Sequence, residues 1–114
     1  MKIKRIYDQP ETEDGYRVLI DRLWPRGISK EKATIDEWNK EVTPSTELRK
    51  WFGHKPELFE KFKGLYKEEL KTKKDELKRL KAIANKQNLT LLYGAKDPHI
   101  NHAVILLEVL KKIK

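Results

Sequence analysis

The sequence contains no cysteine and no long apolar run, and both absences exclude classes of protein. A chain of 114 residues without cysteine cannot form a disulfide, a thiolate metal site or a cysteine nucleophile. It has no run of about 18 apolar residues, so no membrane-spanning helix is predicted. The basic N-terminus, MKIKRIYD, lacks the apolar segment of a secretory signal. We therefore predict a cytoplasmic protein that does not engage a membrane.

Familiar catalytic and nucleotide-binding motifs are also missing. The chain contains no Walker A, GxGxxG, GxSxG or HExxH pattern, and these patterns mark many kinases, dehydrogenases and hydrolases. The residues predict no cofactor, and they leave open whether the protein is an enzyme. They also give no indication of its oligomeric state.

The charge is unevenly distributed along the chain. Charged residues make up 39% of the sequence and the net charge is +8, with most of the excess between residues 55 and 88. A basic face can collect phosphate backbones, so nucleic-acid association through the lysines of residues 61–81 is an alternative function. The lysines alternate with glutamates, which favours the interpretation of a solvated helix surface.

Two short apolar runs predict the centre of a sheet. YRVLI at 16–20 and LTLLY at 89–93 lack polar alternation, which is typical of strands buried on both faces of a parallel sheet. KIKRIY at 2–7 predicts a further short strand. Parallel neighbours require a crossover connection. We predict one α/β domain over residues 1–114, with a short, mainly parallel sheet flanked by helices and a helical crossover between the second and last strands.

Helix signals fill the intervening chain. Ser29 is a predicted N-cap for a short helical turn, and residues 34–42 are predicted as a short helix. Thr43 or Ser45 is expected to cap the next helix, which Gly53 ends. The helical period then continues from 56 to 87, and the polar stretch 71–76 is the expected break. The last helix is predicted to turn Val104, Leu107 and Leu110 inward.

Polar residues follow both buried strands. DRLWPRG at 21–27 comes after the first run and GAKD at 94–97 after the second. Ligands of open α/β sheets bind beyond the carboxyl ends of the strands, so we expect these tails to converge on one crevice. Arginine matches a carboxylate or phosphate with two parallel hydrogen bonds. We predict Arg22 and Arg26 as anion ligands, with Lys96 adding charge and Asp97 a hydrogen-bonding carboxylate.

Further side chains are candidates for the same crevice. Asp21 is the candidate catalytic residue, either orienting Arg22 or acting as a base; the alternative is an internal Asp–Arg ion pair that braces the fold. Arg49 is a third candidate anion ligand, or else a surface partner of Glu41 or Glu47. Tyr93 is expected to line the pocket. Asn101 is expected to start a helix or to face the crevice.

Two other chemistries have weaker support. Ser45 is predicted as a helix cap rather than as a nucleophile. His99 and His102 are three residues apart and could share a helix face, but no carboxylate nearby completes a zinc motif. We therefore predict no metal site. His54 and His102 remain candidates for acid–base chemistry because histidine titrates near neutral pH.

Three blocks of the chain resemble a known family. YDQPETEDGYRVLIDRLWPRGISKE, DEWNKEVTPSTELRKWFGH and LTLLYGAKDPHINHAVILLEVL are similar to the YeaO-like bacterial family, small proteins of unknown function. The resemblance implies a compact α/β domain and no established reaction. A related longer branch has Cys-His-Arg where this chain has Asn101-His102-Ala103, so chemistry that uses that cysteine or arginine is not expected here.

The functional hypothesis is an anion site. We predict that the crevice binds a small molecule bearing phosphate or carboxylate, with or without catalysis. The alternatives are a nucleic-acid-associated basic protein without catalysis, and an interaction domain whose arginines only brace the fold.

Overall fold

The computed structural model describes residues 1–113 and contains a sheet of four parallel strands. The strands are β1 (Lys2–Arg5), β2 (Tyr16–Leu19), β3 (Glu37–Trp38) and β4 (Leu89–Tyr93). Their order in the sheet is β1-β4-β2-β3, and every pair is parallel. Leu91 of β4 pairs with Ile3 on one side and Val18 on the other. The predicted α/β class and the predicted neighbourhood of β2 and β4 are confirmed.

The helices lie before and after the last strand. They are α1 (Lys30–Ala33), α2 (Thr46–Phe52), α3 (Phe59–Leu70), α4 (Lys74–Lys86) and α5 (His102–Lys111). Short 3-10 helices cover Thr12–Asp14, Pro56–Leu58 and Lys71–Lys73. The crossover from β2 to β4 is therefore helical, as predicted. Within residues 1–113, no helix combines the length and the apolar character needed to cross a membrane.

The sheet is buried on both faces. Leu89, Leu91 and Tyr93 pack in the larger core with residues of α2 to α5. Leu92 points to the opposite face, where it packs in a smaller core with Leu19 and other apolar side chains. Because alternate residues of a strand face opposite sides of the sheet, burial on both sides explains the unbroken apolar run of β4.

Most helix boundaries follow the sequence signals. The Ser29 hydroxyl accepts a hydrogen bond from the Lys32 amide, and the Ser45 hydroxyl accepts one from the Leu48 amide, each at 3.2 Å. Gly53 ends α2 with a φ of 54°, a left-handed conformation that glycine adopts without strain. The expected break in the long helical stretch is the 3-10 segment Lys71–Lys73.

The predicted helix over residues 34–42 is wrong. The chain leaves α1 through Thr34 in a left-handed conformation and then forms β3, in which Glu37 pairs with Val18. The Asp36 carboxylate accepts a hydrogen bond from the Arg17 amide at 2.8 Å. The open edge of β2 offers backbone hydrogen bonds that outweigh the weak helical spacing of Ile35 and Trp38, and both side chains still pack against the smaller core.

The inner face of α5 also differs from the prediction. Its buried residues are Ala103, Ile105, Leu106 and Leu110, whereas Val104 and Leu107 are only half-buried. Nearly every position of this helix is apolar, so the sequence period alone does not define which side faces the sheet.

A buried ion cluster joins the first two strands. The Asp14 side chain has no exposed surface, and its carboxylate lies 2.9 Å from both the Lys2 and the Lys4 ammonium groups. It also pairs with the buried guanidinium of Arg17. Burial would raise the pKa of Asp14, but the hydrogen bonds from the lysines, the Glu11 amide and Arg17 together hold it well below its usual range.

Candidate functional site

A cavity of about 310 Å³ lies beyond the carboxyl ends of β2 and β4. Its wall includes residues 21–26 after β2, residues 94–95 after β4, and the first residues of α5. Thr43 and Pro44 before α2, and Arg49, Phe52 and His54 on or just after α2, complete the opposite side. The cavity lies where the sequence predicts a crevice, at the edge where open parallel sheets commonly bind ligands.

Three side-chain donors hold the loop that follows β2. The Trp38 indole N–H donates to the carbonyl of Asp21 at 2.7 Å, and the Trp24 indole N–H donates to the carbonyl of Ile28 at 2.8 Å. The Tyr7 hydroxyl donates to the carbonyl of Arg26 at 2.8 Å. The rings of Trp24 and Trp38 meet edge to face, 5.3 Å apart. These contacts fix the backbone from which the arginines extend.

The Asp21 carboxylate is bound to the neighbouring strand end. Its Oδ2 accepts a hydrogen bond from the Gly94 amide at 2.8 Å. A Cβ atom at position 94 would lie 2.7 Å from the same oxygen, so only glycine permits this approach. Burial raises the pKa of Asp21, against the opposing influence of His102, the Gly94 hydrogen bond, His54 and Arg49. The negative charge of Asp21 is therefore easier to remove than that of an ordinary aspartate.

His102 opens helix α5 beneath Asp21. Its Nε2 lies 2.6 Å from the carbonyl oxygen of Ile20 and 3.4 Å from Asp21 Oδ1. Since a carbonyl oxygen only accepts, Nε2 carries the proton. Burial lowers the pKa of His102, although Asp21 and the Ile20 carbonyl oppose that shift. The imidazole is consequently uncharged at neutral pH, and its Nε2 proton is committed to the backbone.

Three guanidinium groups border the cavity. Arg22 Nε donates to the carbonyl of Pro44 at 3.1 Å, while Arg26 and Arg49 are exposed at the mouth. Across residues 1–113, none of the three arginines forms an ion pair with a carboxylate. The alternative Asp21–Arg22 ion pair is not formed, because Asp21 bonds to Gly94 instead. The alternative pairing of Arg49 is also not formed, and Glu41 pairs with Lys73.

The structure brings together five of the eight residues predicted from the sequence. Those that line the cavity are Asp21, Arg22, Arg26, Arg49 and Asn101. Asn101 also starts α5: its Oδ1 accepts from the Val104 amide at 3.1 Å, and its Nδ2 donates to the Asp97 carbonyl at 2.8 Å. Asn101 thus both starts a helix and lines the cavity, the two positions considered for it from the sequence.

The other three predicted residues lie outside the cavity wall. Tyr93 packs in the larger core and is only 3% exposed. Asp97 shapes its own loop, since its Oδ1 accepts hydrogen bonds from the amides of His99 and Ile100. Lys96 is exposed to solvent. A tail after a strand fixes where the backbone emerges, but it does not fix which side chains turn toward the ligand.

Tyr7 and Thr43 are among the cavity residues that were not predicted as part of a site, and His54 was considered only for acid–base chemistry. Tyr7 follows β1, whose carboxyl end meets the same sheet edge, so the rule applied to the other two strands would have found it. Thr43 lines the wall, and its hydroxyl donates to the Lys40 carbonyl at 2.7 Å. His54 lies at the cavity because its backbone is left-handed, with a φ of 58°. No sequence pattern predicts this conformation for a histidine.

The cavity wall combines charged side chains with aromatic rings. Three arginines and one aspartate supply its formal charges, and aromatic rings of Tyr7, Trp24, Phe52 and Phe62 supply apolar wall. The Ser45 hydroxyl lies outside the cavity, where it donates to Glu69 at 2.6 Å. Within the described part of the chain, no group of three or more His, Asp or Glu residues is arranged to hold a metal ion.

Comparison with known proteins gives the relatives of this chain. A family model described as the inactive DUF488-N3 subclade matches residues 1–113. The uncharacterized protein YeaO of Escherichia coli (strain K12) is 50% identical over 113 residues, which cover 99% of this chain and 98% of that protein. The uncharacterized protein Rv3073c of Mycobacterium tuberculosis (strain ATCC 25618 / H37Rv) is 36% identical over 110 residues, covering 96% and 92%. No solved structure is significantly similar.

Proposed function

The chain belongs to the inactive DUF488-N3 subclade, and from that premise we propose that its cavity binds a small anionic molecule, bearing phosphate or carboxylate, without converting it. The main support for this proposal is the set of three guanidinium groups around one cavity, none of them paired with a carboxylate of residues 1–113. Arg22 bonds to the Pro44 carbonyl only through Nε, which leaves its terminal nitrogens without a carboxylate partner in residues 1–113. Guanidinium groups held at a cavity are instead suited to an incoming anion.

The size and wall of the cavity narrow the ligand class. About 310 Å³ is at the lower end of the volumes of small-molecule sites, roughly 300–1,000 Å³. Aromatic rings such as Trp24 and Phe52 provide contact for an apolar or planar body. The ligand we propose therefore combines one anionic group, held by the arginines, with a compact apolar part.

The absence of catalysis in this proposal has a chemical basis. His102 donates its Nε2 proton to the Ile20 carbonyl, and Asp21 Oδ2 accepts from the Gly94 amide, so the backbone holds both side chains in place. The hydroxyl of Thr43 is likewise committed to a carbonyl. Asn101 stands where the longer related branch has its cysteine, and covalent catalysis requires a nucleophile activated by an adjacent base. The family description itself carries the word inactive.

The cellular location and the domain organisation are part of the same proposal. We place the binding activity in the cytoplasm, because a chain without cysteine forms none of the disulfides that are typical of proteins in oxidising compartments. We also propose that residues 1–114 act as a single domain.

A thermal-shift experiment at low salt tests the proposal. The probes are inorganic phosphate, phenyl phosphate, benzoate and a short single-stranded DNA. A ligand at about 100 times its dissociation constant stabilises the folded state by ~2.7 kcal/mol. With an unfolding entropy of about 2.1 cal/mol/K per residue, this corresponds to an increase in Tm of roughly 11 °C.

Matched variants locate the binding. Arg49→Ala removes a cavity guanidinium, and Lys50→Ala removes a neighbouring charge of the same helix α2 that does not line the cavity. We expect the shift produced by phenyl phosphate or benzoate to be lost in Arg49→Ala and kept in Lys50→Ala. Equal Tm shifts in the two variants would show that the ligand does not bind in this cavity. Stabilisation by DNA alone, abolished by salt, would favour the nucleic-acid alternative.

A further inference from the structure

A second concave surface, which shares no residue with the cavity, lies where the end of α3, the start of α4 and the end of α5 meet. This groove has a volume of about 410 Å³ and an almost entirely apolar lining. Its floor consists of Leu70, Leu77, Val109 and Ile113. An open apolar floor offers no hydrogen bond to orient a polar small molecule, so shape and hydrophobic contact must dominate what binds there.

The rim of the groove is made of lysine. Lys67, Lys71, Lys74 and Lys78 follow one another at intervals of four, three and four residues along α3 and α4, and Lys112 stands on the α5 side. The floor residues Leu70 and Leu77 lie on either side of the 3-10 segment Lys71–Lys73, Leu70 at the end of α3 and Leu77 in the first turn of α4. An aliphatic floor bordered by charges of one sign is the kind of surface that the apolar face of an amphipathic helix contacts.

The positive charge of the rim is only partly neutralised within the protein. Glu108 forms ion pairs with two rim lysines, at 3.4 Å from Lys67 and 3.7 Å from Lys112. Lys71 pairs with Glu68 in a solvent-exposed contact. Lys74 and Lys78 have no carboxylate partner in residues 1–113. The unpaired charges lie at the start of α4, beside Leu77, and a complementary partner must bring carboxylates to that edge.

We propose that this groove docks an acidic amphipathic helix of a partner protein. Its apolar residues, at i, i+3 or i+4, and i+7, would contact the aliphatic floor, and its flanking glutamates or aspartates would face the lysine rim. The groove residues include no aromatic ring for base stacking, which favours a helix over a nucleic acid as the occupant.

Fluorescence anisotropy with a designed peptide tests this surface. The probe is a labelled helix of about four turns with leucine along one stripe and glutamate on both flanks; its control has lysine in place of each glutamate. The protein variants are Lys74→Glu/Lys78→Glu at the rim and Lys81→Glu/Lys86→Glu, which reverses the same charge on the same helix outside the groove. Circular dichroism confirms that each variant keeps its helices, and Lys74→Gln/Lys78→Gln repeats the test without adding negative charge.

The expected result is saturable binding of the acidic peptide, weakened at least about tenfold by the rim reversal and less than twofold by the control reversal. Equal loss in the two charge-reversed proteins would show nonspecific attraction and overturn the proposal. Binding of the lysine peptide as tightly as the glutamate peptide would do the same. If the peptide does not bind but phosphatidylglycerol vesicles do, with the same dependence on Lys74 and Lys78, the groove is a membrane contact and the proposed helical partner is wrong.

Discussion

Replacing Asp21 by asparagine separates an anion receptor from an enzyme that uses an aspartate base. Asp21 is the single acid among the residues that line the cavity, facing Arg22, Arg26 and Arg49. Asparagine has the same shape, and its carbonyl oxygen can still accept from the Gly94 amide, as Oδ2 does at 2.8 Å. The substitution therefore removes a negative charge and leaves the loop connection in place.

The expected magnitude follows from Coulomb's law. If the bound anion and the Asp21 carboxylate lie roughly 7 Å apart, two unit charges at an effective dielectric constant of about 20 repel by ~2.4 kcal/mol. The Asp21 side chain is 20% exposed, and salt and solvent screen part of this repulsion. We expect Asp21→Asn to strengthen the binding of phenyl phosphate by about 1.4 kcal/mol, or roughly tenfold, measured by isothermal titration calorimetry at neutral pH.

The pH dependence of anion binding is an independent test of the role of Asp21. Because the pKa of Asp21 is raised by burial, its protonation as pH falls toward and through that pKa should tighten anion binding in the parent protein. The asparagine variant should lack this dependence. The same raised pKa means that the charged carboxylate costs stability above it, so the variant should unfold at an equal or higher temperature at neutral pH.

Asp97→Asn is the matched control. Asp97 lies outside the cavity wall, and an asparagine there can still accept the hydrogen bonds from the amides of His99 and Ile100. This variant changes the net charge by the same amount and should leave affinity nearly unchanged. Weaker binding in Asp21→Asn than in the parent would refute the assigned role of Asp21, and equal gains in both variants would reduce the effect to overall charge.

Two further predictions concern stability and are measured by urea denaturation. Asp14→Asn should cost about 3–5 kcal/mol because buried Arg17 loses its counter-ion; since the pKa of Asp14 is lowered, this stabilisation is present above the ordinary aspartate pKa and is lost as pH falls toward the lower folded value. A Cβ atom at Gly15, where φ is 65°, would overlap the Asn88 carbonyl, so Gly15→Ala should destabilise by about 1–3 kcal/mol or more. Gly64→Ala, in open space on α3, should instead stabilise by about 0.5–1 kcal/mol; a loss at Gly64 as large as that at Gly15 would contradict the steric argument.

Local signals predicted the elements that burial and capping determine. The apolar runs at 16–20 and 89–93 are strands because a strand buried on both faces has no polar alternation. Ser29 and Ser45 cap helices through hydrogen bonds within a few residues of the chain, which is the range that sequence patterns cover. β3 was missed because its two residues form a strand only when the edge of β2 is present to pair with them.

The candidate site was predicted to the level of the loop and not of the side chain. Arg22 and Arg26 reach the cavity because the chain must leave β2 at that edge. Lys96 and Asp97 follow β4 in the same way but turn elsewhere, since the Asp97 carboxylate is bound to its own loop. His102 was considered for acid–base chemistry, but the contact of its Nε2 with the Ile20 carbonyl spans 82 residues of sequence, and no local pattern describes such a contact.

The position of β4 in the sheet has a consequence for the order of folding. β4 is the last strand along the chain, yet it lies between β1 and β2, and Lys2 pairs with Thr90. During synthesis, β1 has no partner strand and β2 has only the two-residue β3 until residues 89–93 emerge. Such distant pairing gives a high contact order, which slows folding and prolongs the exposure of unpaired strands. The sheet, and with it the cavity at its edge, is therefore expected to assemble only after residues 89–93 have been synthesised.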